Sequence, residues 1–230
     1  MTTIEPIASS SAGNAYRWGD LLLEAGLPAR DLLRAFGRKP AAAVITHEHY
    51  DHAIGVRDLL RLGIPIIASA GTIEALELPS RAHLIRIRSG ETVQVAGYQI
   101  HAIDAIHDAR EPLSYIIAHG DERLLFATDT AEIPYKINGL TELAVEANYS
   151  RRILEESRIE MAAKIRTSRS HMSIETLVDT LRGWDLRTVE RITLLHLSDR
   201  HSNADEFRKT IEAETGKPAI VAPKNRRRRT

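Results

Sequence analysis

Ala41-Ala42-Ala43-Val44-Ile45-Thr46-His47-Glu48-His49-Tyr50-Asp51-His52 joins an apolar run to three imidazoles and a carboxylate within six residues. The run reads as a buried strand, because a short uninterrupted apolar stretch of this kind has no face to give to water. The polar cluster then sits at that strand's mouth. Imidazole and carboxylate suit borderline cations such as zinc, and four such donors in one loop exceed what a single open catalytic ion takes from one segment. Two ions side by side are the natural reading.

Composition does not produce this pattern by itself. The chain has 10 histidines in 230 residues, and three of them fall within six positions. A solvated loop with incidental histidines is the plain alternative; the place after a strand and the partners found downstream argue against it.

A chain of this length with 43% hydrophobic residues can bury one substantial core, and no Pro/Gly/Ser-rich linker divides it. The expected organisation is a single domain over 1–223 followed by a basic tail over 224–230. No apolar run is long enough to span a bilayer, and Met1-Thr2-Thr3-Ile4-Glu5-Pro6 lacks the basic-then-apolar pattern of a secretory signal, so a cytoplasmic protein without a membrane partner is expected. Cysteine is absent, which excludes disulfides and thiolate ligands and leaves His, Asp and Glu to carry metal chemistry. Basic and acidic residues balance at 31 each, so there is no global field of the kind that marks a strongly basic nucleic-acid binder. The balance breaks locally: Arg151, Arg152, Arg158, Lys164, Arg166 and Arg169 stand against Glu155, Glu156 and Glu160, and the chain ends Arg226-Arg227-Arg228-Arg229-Thr230. Such runs are more often solvated surface than a binding face.

Short β-type runs alternate with helical ones. Residues 17–25 read as a strand, 28–36 as a helix opened by Pro28, 41–46 as a strand, 53–62 as a helix and 64–68 as a strand. Five runs follow, 84–88, 92–95, 99–106, 114–118 and 123–128, which read as an antiparallel meander with a hairpin at Gly120-Asp121. Then come a strand over 142–147, helices near 150–164 and over 174–181, a strand over 191–197, a helix over 203–215 and a strand over 219–222. Antiparallel strands in one half and mixed βα units in both predict two sheets face to face with helices outside.

Rigid strand ends fix ligand geometry while the loops leave a position open for substrate. Three more donors sit where an apolar strand runs out: His107 after 99–106, Asp129 after Leu124-Leu125-Phe126-Ala127-Thr128, and His196 after Ile192-Thr193-Leu194-Leu195. Each alone reads as a cap or a structural hydrogen bond. Their recurrence beside the six-residue motif makes them ligand candidates.

His47-x-His49-x-Asp51-His52 followed by His107, Asp129 and His196 resembles the ligand set of the metallo-β-lactamase fold, and the resemblance covers essentially the whole chain. It implies an α/β (α+β) four-layer αββα sandwich with a dinuclear site at one edge of the sheets. Ser9-Ser10-Ser11-Ala12-Gly13-Asn14, His107-Asp108-Ala109-x-x-Pro112, Thr128-Asp129-Thr130, Glu146-Ala147-Asn148, His171-Met172-Ser173 and His196-Leu197-Ser198 with Asn203 resemble the YycJ/WalJ-type branch, which includes a DNA exonuclease. By this resemblance His47, His49 and His107 hold one ion, Asp51, His52 and His196 the other, and Asp129 bridges them. Two zinc ions are implied, with manganese or iron able to use the same donors. A water shared between two such ions would lose its proton near neutral pH and would serve as the nucleophile, with Asp51 implied as part of the catalytic set.

These ligands alone do not separate a phosphodiester from an ester or a lactam. Ser168-Arg169-Ser170-His171-Met172-Ser173-Ile174-Glu175 reads as a helix N-terminus with Ser173 as cap, where phosphate would be favoured beside Arg169 and the Ser170 and Ser173 hydroxyls. His171 is then the expected proton donor to the leaving oxygen, and a similar His-Ser/Thr segment occurs in phosphodiesterases of this fold. The plain reading is a surface histidine near an ordinary cap. Ser198 and Asn203 are expected either to position phosphate or His196, or, for Asn203, to cap the last helix. Ser9–Asn14 either lines the site's rim or is a simple inter-strand loop. His83, His101, His119 and His201 fall outside the pattern.

The expected function is a phosphodiesterase, most specifically a nuclease acting on DNA. A carboxyl-ester, thioester or lactone hydrolase is the alternative, and a non-catalytic scaffold that has kept every ligand is the third reading. Aromatic residues make up 5% of the chain and Tyr50, Tyr115, Tyr135 and Tyr149 are scattered, so grip on a strand is expected to come from phosphates, with steep salt dependence.

Overall fold

Leu21-Leu22-Leu23 shows how the layers arise. Successive side chains on a strand point to opposite faces: Leu21 and Leu23 enter one apolar cluster and Leu22 a second. The computed structural model, which describes residues 2–224, repeats this sorting on every central strand.

The first sheet holds β1 (Glu5–Ser10), β2 (Gly13–Trp18), β3 (Leu21–Leu23), β4 (Ala42–Val44), β5 (Ile66–Ala68) and β6 (Leu84–Arg86) in that spatial order. Its crossovers carry α1 (Ala29–Phe36), α2 (Tyr50–Ala53), α3 (Val56–Arg61) and α4 (Ala70–Ala75). The second sheet runs β13-β12-β11-β10-β9-β8-β7. Its members are β7 (Thr92–Val95), β8 (Tyr98–Asp104), β9 (Leu113–His119), β10 (Glu122–Ala127), β11 (Glu142–Glu146), β12 (Arg191–Leu195) and β13 (Ala219–Val221). Between β11 and β12 lie α5 (Arg151–Glu156), α6 (Met161–Ser170) and α7 (Ile174–Arg182), and α8 (Ala204–Thr215) precedes β13.

Three apolar clusters separate four layers. Leu32 and Phe36 of α1, Leu59 of α3 and Ile73 of α4 pack on Leu22 and Ala43. Tyr16, Trp18 and Val44 of one sheet meet Ile100, Tyr115, Leu124 and Phe126 of the other. Leu177 and Leu181 of α7 with Phe207 and Ile211 of α8 cover Leu125, Leu143 and Ile192. Each buried Leu, Ile, Val or Phe among these contributes about 1.5–3 kcal/mol. The expected αββα sandwich is the observed one.

Several boundaries differ from the sequence reading. The strand expected over 17–25 is two, β2 and β3, folded at Gly19-Asp20 with Gly19 at φ 59°. The helix expected over 53–62 is α2 and α3, parted at Gly55, whose N–H bonds Ala25 O at 2.8 Å. The helix near 150–164 is likewise two, α5 and α6. The run 84–88 leaves the meander altogether, since β6 pairs parallel with β5 in the other sheet. β1 and α4 were not anticipated. The Gly120-Asp121 hairpin is present, with Gly120 at φ 58°. Of the basic tail only Lys224 lies within the described residues, and 225–230 fall outside them. Among the described residues no helix is long and apolar enough to cross a membrane.

Strand direction places the site. β3 and β4 are parallel, as are β10, β11 and β12; β8 and β10 are both antiparallel to β9 and so run the same way. The last residues of these strands and the loops that follow them carry Glu24, His47 to His52, His107, Asp129, Glu146 to Asn148, and His196.

Candidate metal centre

The loop after β4 buries two of its four donors and leaves two at the opening. His47 and His52 are fully buried, while His49 and Asp51 are partly open. His49 Nδ1 lies 3.1 Å from His47 Nε2 and 3.1 Å from His107 Nε2. On the other side, Asp51 Oδ2 lies 3.4 Å from both His52 Nε2 and His196 Nε2. Asp129 sits between the two groups: its Oδ2 is 3.4 Å from His52 Nε2, 3.6 Å from His107 Nε2 and 4.0 Å from His47 Nε2, and its Oδ1 is 3.3 Å from His196 Nδ1. All seven sequence-predicted donors therefore meet. The triads His47–His49–His107, Asp51–His52–His196 and His47–His52–Asp129 each offer ligand atoms within 4.8 Å of one another.

Residues behind the donors hold them. His107 Nδ1 donates to Ser170 O at 2.6 Å, which fixes the tautomer and turns the Nε2 lone pair toward His49. His47 Nδ1 meets Thr46 Oγ1 at 2.9 Å. The Asn14 amide spans Asp51 Oδ2 (3.2 Å) and His52 Nε2 (3.0 Å). Asn148 donates to His196 O at 2.9 Å, and the His196 N–H donates to Ser9 Oγ at 3.0 Å. Ser9–Asn14 thus forms the β1–β2 hairpin behind the donors, with two of its residues bracing them. Glu24, Asp129 and His196 take φ of 64°, 47° and 51° just past β3, β10 and β12. Left-handed backbone at a non-glycine residue costs about 1–3 kcal/mol and persists where surrounding bonds fix it.

Burial and charge sort the imidazoles into two kinds. Burial drives the pKa of His47 well below the usual histidine value, and burial also lowers His107 against the pull of Asp129. Both are neutral and ready to donate a lone pair. For His52 and His196 burial works the same way, but the Asp129 charge and the hydrogen bonds the rings donate to Asp51 outweigh it; His52 is raised well above its usual value and His196 to about 10. Asp129 and Asp51 resist burial through the same contacts and stay ionised. The pocket thus demands positive charge, and nitrogen and oxygen donors in this number suit divalent ions of the zinc type.

His171 joins the cluster by a different route from the one expected. It is not part of a helix N-terminus: it caps the C-terminal end of α6, its N–H bonding Thr167 O at 3.0 Å, and α7 begins three residues later. Its ring stacks on His196 at 5.6 Å and meets His107 edge-on at 5.0 Å. Nδ1 donates to Glu146 Oε1 at 2.6 Å. Burial opposes the charged ring, but the Glu146 carboxylate and Asp129 outweigh it and the His171 pKa is raised. Asp129, Glu146, His171 and His196 also satisfy the spacing of a metal group. Glu146 is already committed, because its Oε2 accepts the Thr130 and Met172 N–H groups at 3.0 and 3.1 Å.

Of the remaining phosphate contacts expected from sequence, Ser170, Ser173, Ser198 and Asn203 are engaged elsewhere. Ser173 is fully buried and accepts the Thr176 N–H at 3.0 Å as cap of α7; the Ser170 hydroxyl donates to Arg166 O at 2.8 Å. Arg169 is exposed on the last turn of α6. Asn203 is exposed and caps α8 by accepting the Glu206 N–H at 3.2 Å, and Ser198 Oγ turns into its own loop toward the His201 N–H at 3.3 Å. Sequence reasoning gave no role to Glu24 or Glu146. Both follow the rule that found Asp129, for each ends an apolar strand, Leu21-Leu22-Leu23 and Leu143-Ala144-Val145.

The metallo-β-lactamase fold and its metal-binding edge have counterparts among known proteins. The family described as Beta-lactamase superfamily domain matches residues 18–197, and this chain belongs to that family of metal-dependent hydrolases. It is 28% identical over 221 residues to Exodeoxyribonuclease WalJ of Streptococcus pneumoniae, covering 85% of this chain and 81% of that protein. Exodeoxyribonuclease YycJ of Bacillus anthracis is 25% identical over 214 residues, at 84% and 81% coverage. In fold, the metallo-beta-lactamase fold protein YhfI of Bacillus subtilis superposes with a TM-score of 0.71 at 19% identity, covering 97% of each chain.

Proposed function

We propose that the chain is a two-metal phosphodiesterase that cleaves DNA. His47, His49 and His107 would hold one divalent ion, Asp51, His52 and His196 the other, with Asp129 reaching both; zinc suits the donors. Bound there, such ions supply Lewis-acid charge and acidify water. The protein's own residues supply the rest. Asn14, Ser9 and Ser170 keep the donors aimed. His171, held by Glu146 with Nε2 free, gives a proton to the leaving oxygen as the bond from phosphorus to that oxygen breaks, and Glu146 stabilises the ring's charge while the proton is in place.

The single observation that carries this reading is the Glu146–His171 contact of 2.6 Å on the flank of the donor cluster. A poor leaving group such as a DNA sugar oxygen needs a proton donor, and a charged imidazole beside a buried carboxylate is one. DNA is favoured as substrate by the two exodeoxyribonuclease-named relatives. The test is a panel run with metal-loaded protein: a labelled DNA, a bis(aryl) phosphodiester and an acyl-homoserine lactone, each with wild type and His171→Ala. DNA cleavage is expected, with the variant slower by about 10²–10⁴-fold at unchanged metal content. Preferential lactone cleavage that ignores the substitution would replace this reading with an ester hydrolase.

A further inference from the structure

The chain's charges cancel overall, yet six cations stand against three carboxylates between Arg151 and Ser170. Among the described residues only Arg152 of these six pairs with a carboxylate, Glu156 at 3.3 Å. Lys164 meets a backbone carbonyl, Glu155 O, and Arg151 the Thr176 hydroxyl. Arg158, Arg166 and Arg169 are exposed. Unneutralised cations on adjoining helices make a local field that suits a polyanion.

An apolar groove of about 440 Å³ opens on the same face, between α5 and α6. Tyr149, Leu154, Met161 and Ile165 line it, with Arg151, Lys164, Ser168 and one carboxylate, Glu155, also on its wall. Met161 is 68% exposed and Ile165 44%, one helical turn apart. Helix α6 therefore shows water an apolar stripe beside positive charge. It also leads to the metal centre: its last residue, Ser170, accepts the bond from His107, and the next residue is His171. From Met161 to Ser170 the helix rises about 14 Å at 1.5 Å per residue. That is the length of about four stacked nucleotides at 3.4 Å each.

We propose that the α5–α6 face is the track for the part of a single-stranded nucleic acid next to the scissile phosphate: the groove takes a base against Met161 and Ile165, and the cations take phosphates. This rests on the phosphodiesterase reading above and adds where the strand lies. The two features fit one ligand, since a nucleotide strand presents a flat apolar ring and an anionic phosphate at every step. Contacts to a ring face and to phosphates are both sequence-tolerant, so the track predicts little base preference.

The experiment uses the full chain. Binding of a labelled single-stranded oligonucleotide is followed by anisotropy over a salt series for wild type, Ile165→Glu and Lys164→Ala, and the metal-loaded forms are assayed on the same DNA and on a bis(aryl) phosphodiester too short to reach the groove. Ile165→Glu is expected to weaken oligonucleotide binding about tenfold. Lys164→Ala is expected to lower the slope of log affinity against log salt by about 0.7. Metal content and hydrolysis of the small diester hold within about twofold in both, which reports intact folding. Binding changes below twofold in both variants, or equal loss on the small diester and the DNA, overturn the track. So does tighter binding to anionic phospholipid vesicles than to the oligonucleotide when the same substitutions abolish it. If wild type cleaves neither substrate, the phosphodiesterase reading fails, and oligonucleotide binding still decides the groove on its own.

Discussion

His171 and Glu146 carry the distinction between phosphate and carbonyl chemistry. A nitrophenolate leaves without a proton, whereas a sugar oxygen does not, so His171→Ala should slow DNA cleavage far more than bis(nitrophenyl) phosphate hydrolysis. Equal losses on both would make His171 a structural residue. Glu146→Gln gives a second test, by pH. The carboxylate raises the His171 pKa, so removing it lowers that pKa, and the protonated donor is lost at a lower pH. The alkaline limb of kcat/KM on DNA is expected to move toward neutrality in Glu146→Gln, with metal content retained. A limb that stays put would separate the carboxylate from the donor. His107, Asp129 and His196 were legible from sequence because a ligand must follow a strand that a core can hold rigid. Ser9–Asn14 was legible only as either a rim or a simple loop, since the contact of Asn14 with Asp51 exists only after the β1–β2 hairpin folds over the loop that follows β4.

Secondary structure fixes that loop through two close approaches. A Cβ on Gly26 would lie 1.8 Å from Asp51 O and 2.5 Å from Asn14 N, both backbone atoms with little room to yield. Gly26→Ala is therefore expected to destabilise by about 1–3 kcal/mol, a drop in Tm of about 2–4 °C per kcal/mol for a chain this long. It should also weaken metal binding, because Asp51 must move; unchanged Tm and metal affinity would show the loop to be slack. The caps of α7 and α8 were readable as Ser173 and Asn203, because a hydroxyl or amide ahead of an apolar helical stripe has few other uses. Partnering was not readable. β6 is a three-residue strand, and nothing in Leu84-Ile85-Arg86 says whether it pairs with β5 or continues the meander. The break between α5 and α6 also carries no Gly or Pro across Ser157-Arg158-Ile159-Glu160, so one helix was the natural expectation.

The two sheets bring seven donors from a span of about 150 residues to one edge, and the charges they gather link metal to protons and to stability. With no metal, His52 and His196 carry protons that ligation must displace. Metal affinity is then expected to rise with pH from 6 to 9, with protons released in weakly buffered titrations. For the metal-free protein the sign follows from the raised pKa: the stability His196 contributes is complete below the ordinary value near 6.5 and is lost as pH climbs toward about 10. Its Tm should fall over that window, and a Tm that rises instead would contradict the arrangement of charges. The most direct measurement is metal analysis combined with anomalous diffraction from the metal-loaded protein. Two ions per chain are expected, one within about 2.0–2.2 Å of His47, His49 and His107 nitrogens, the other at that distance from Asp51, His52 and His196, with Asp129 reaching both. A single ion, or ions that leave His107, Asp129 and His196 unligated, would contradict it.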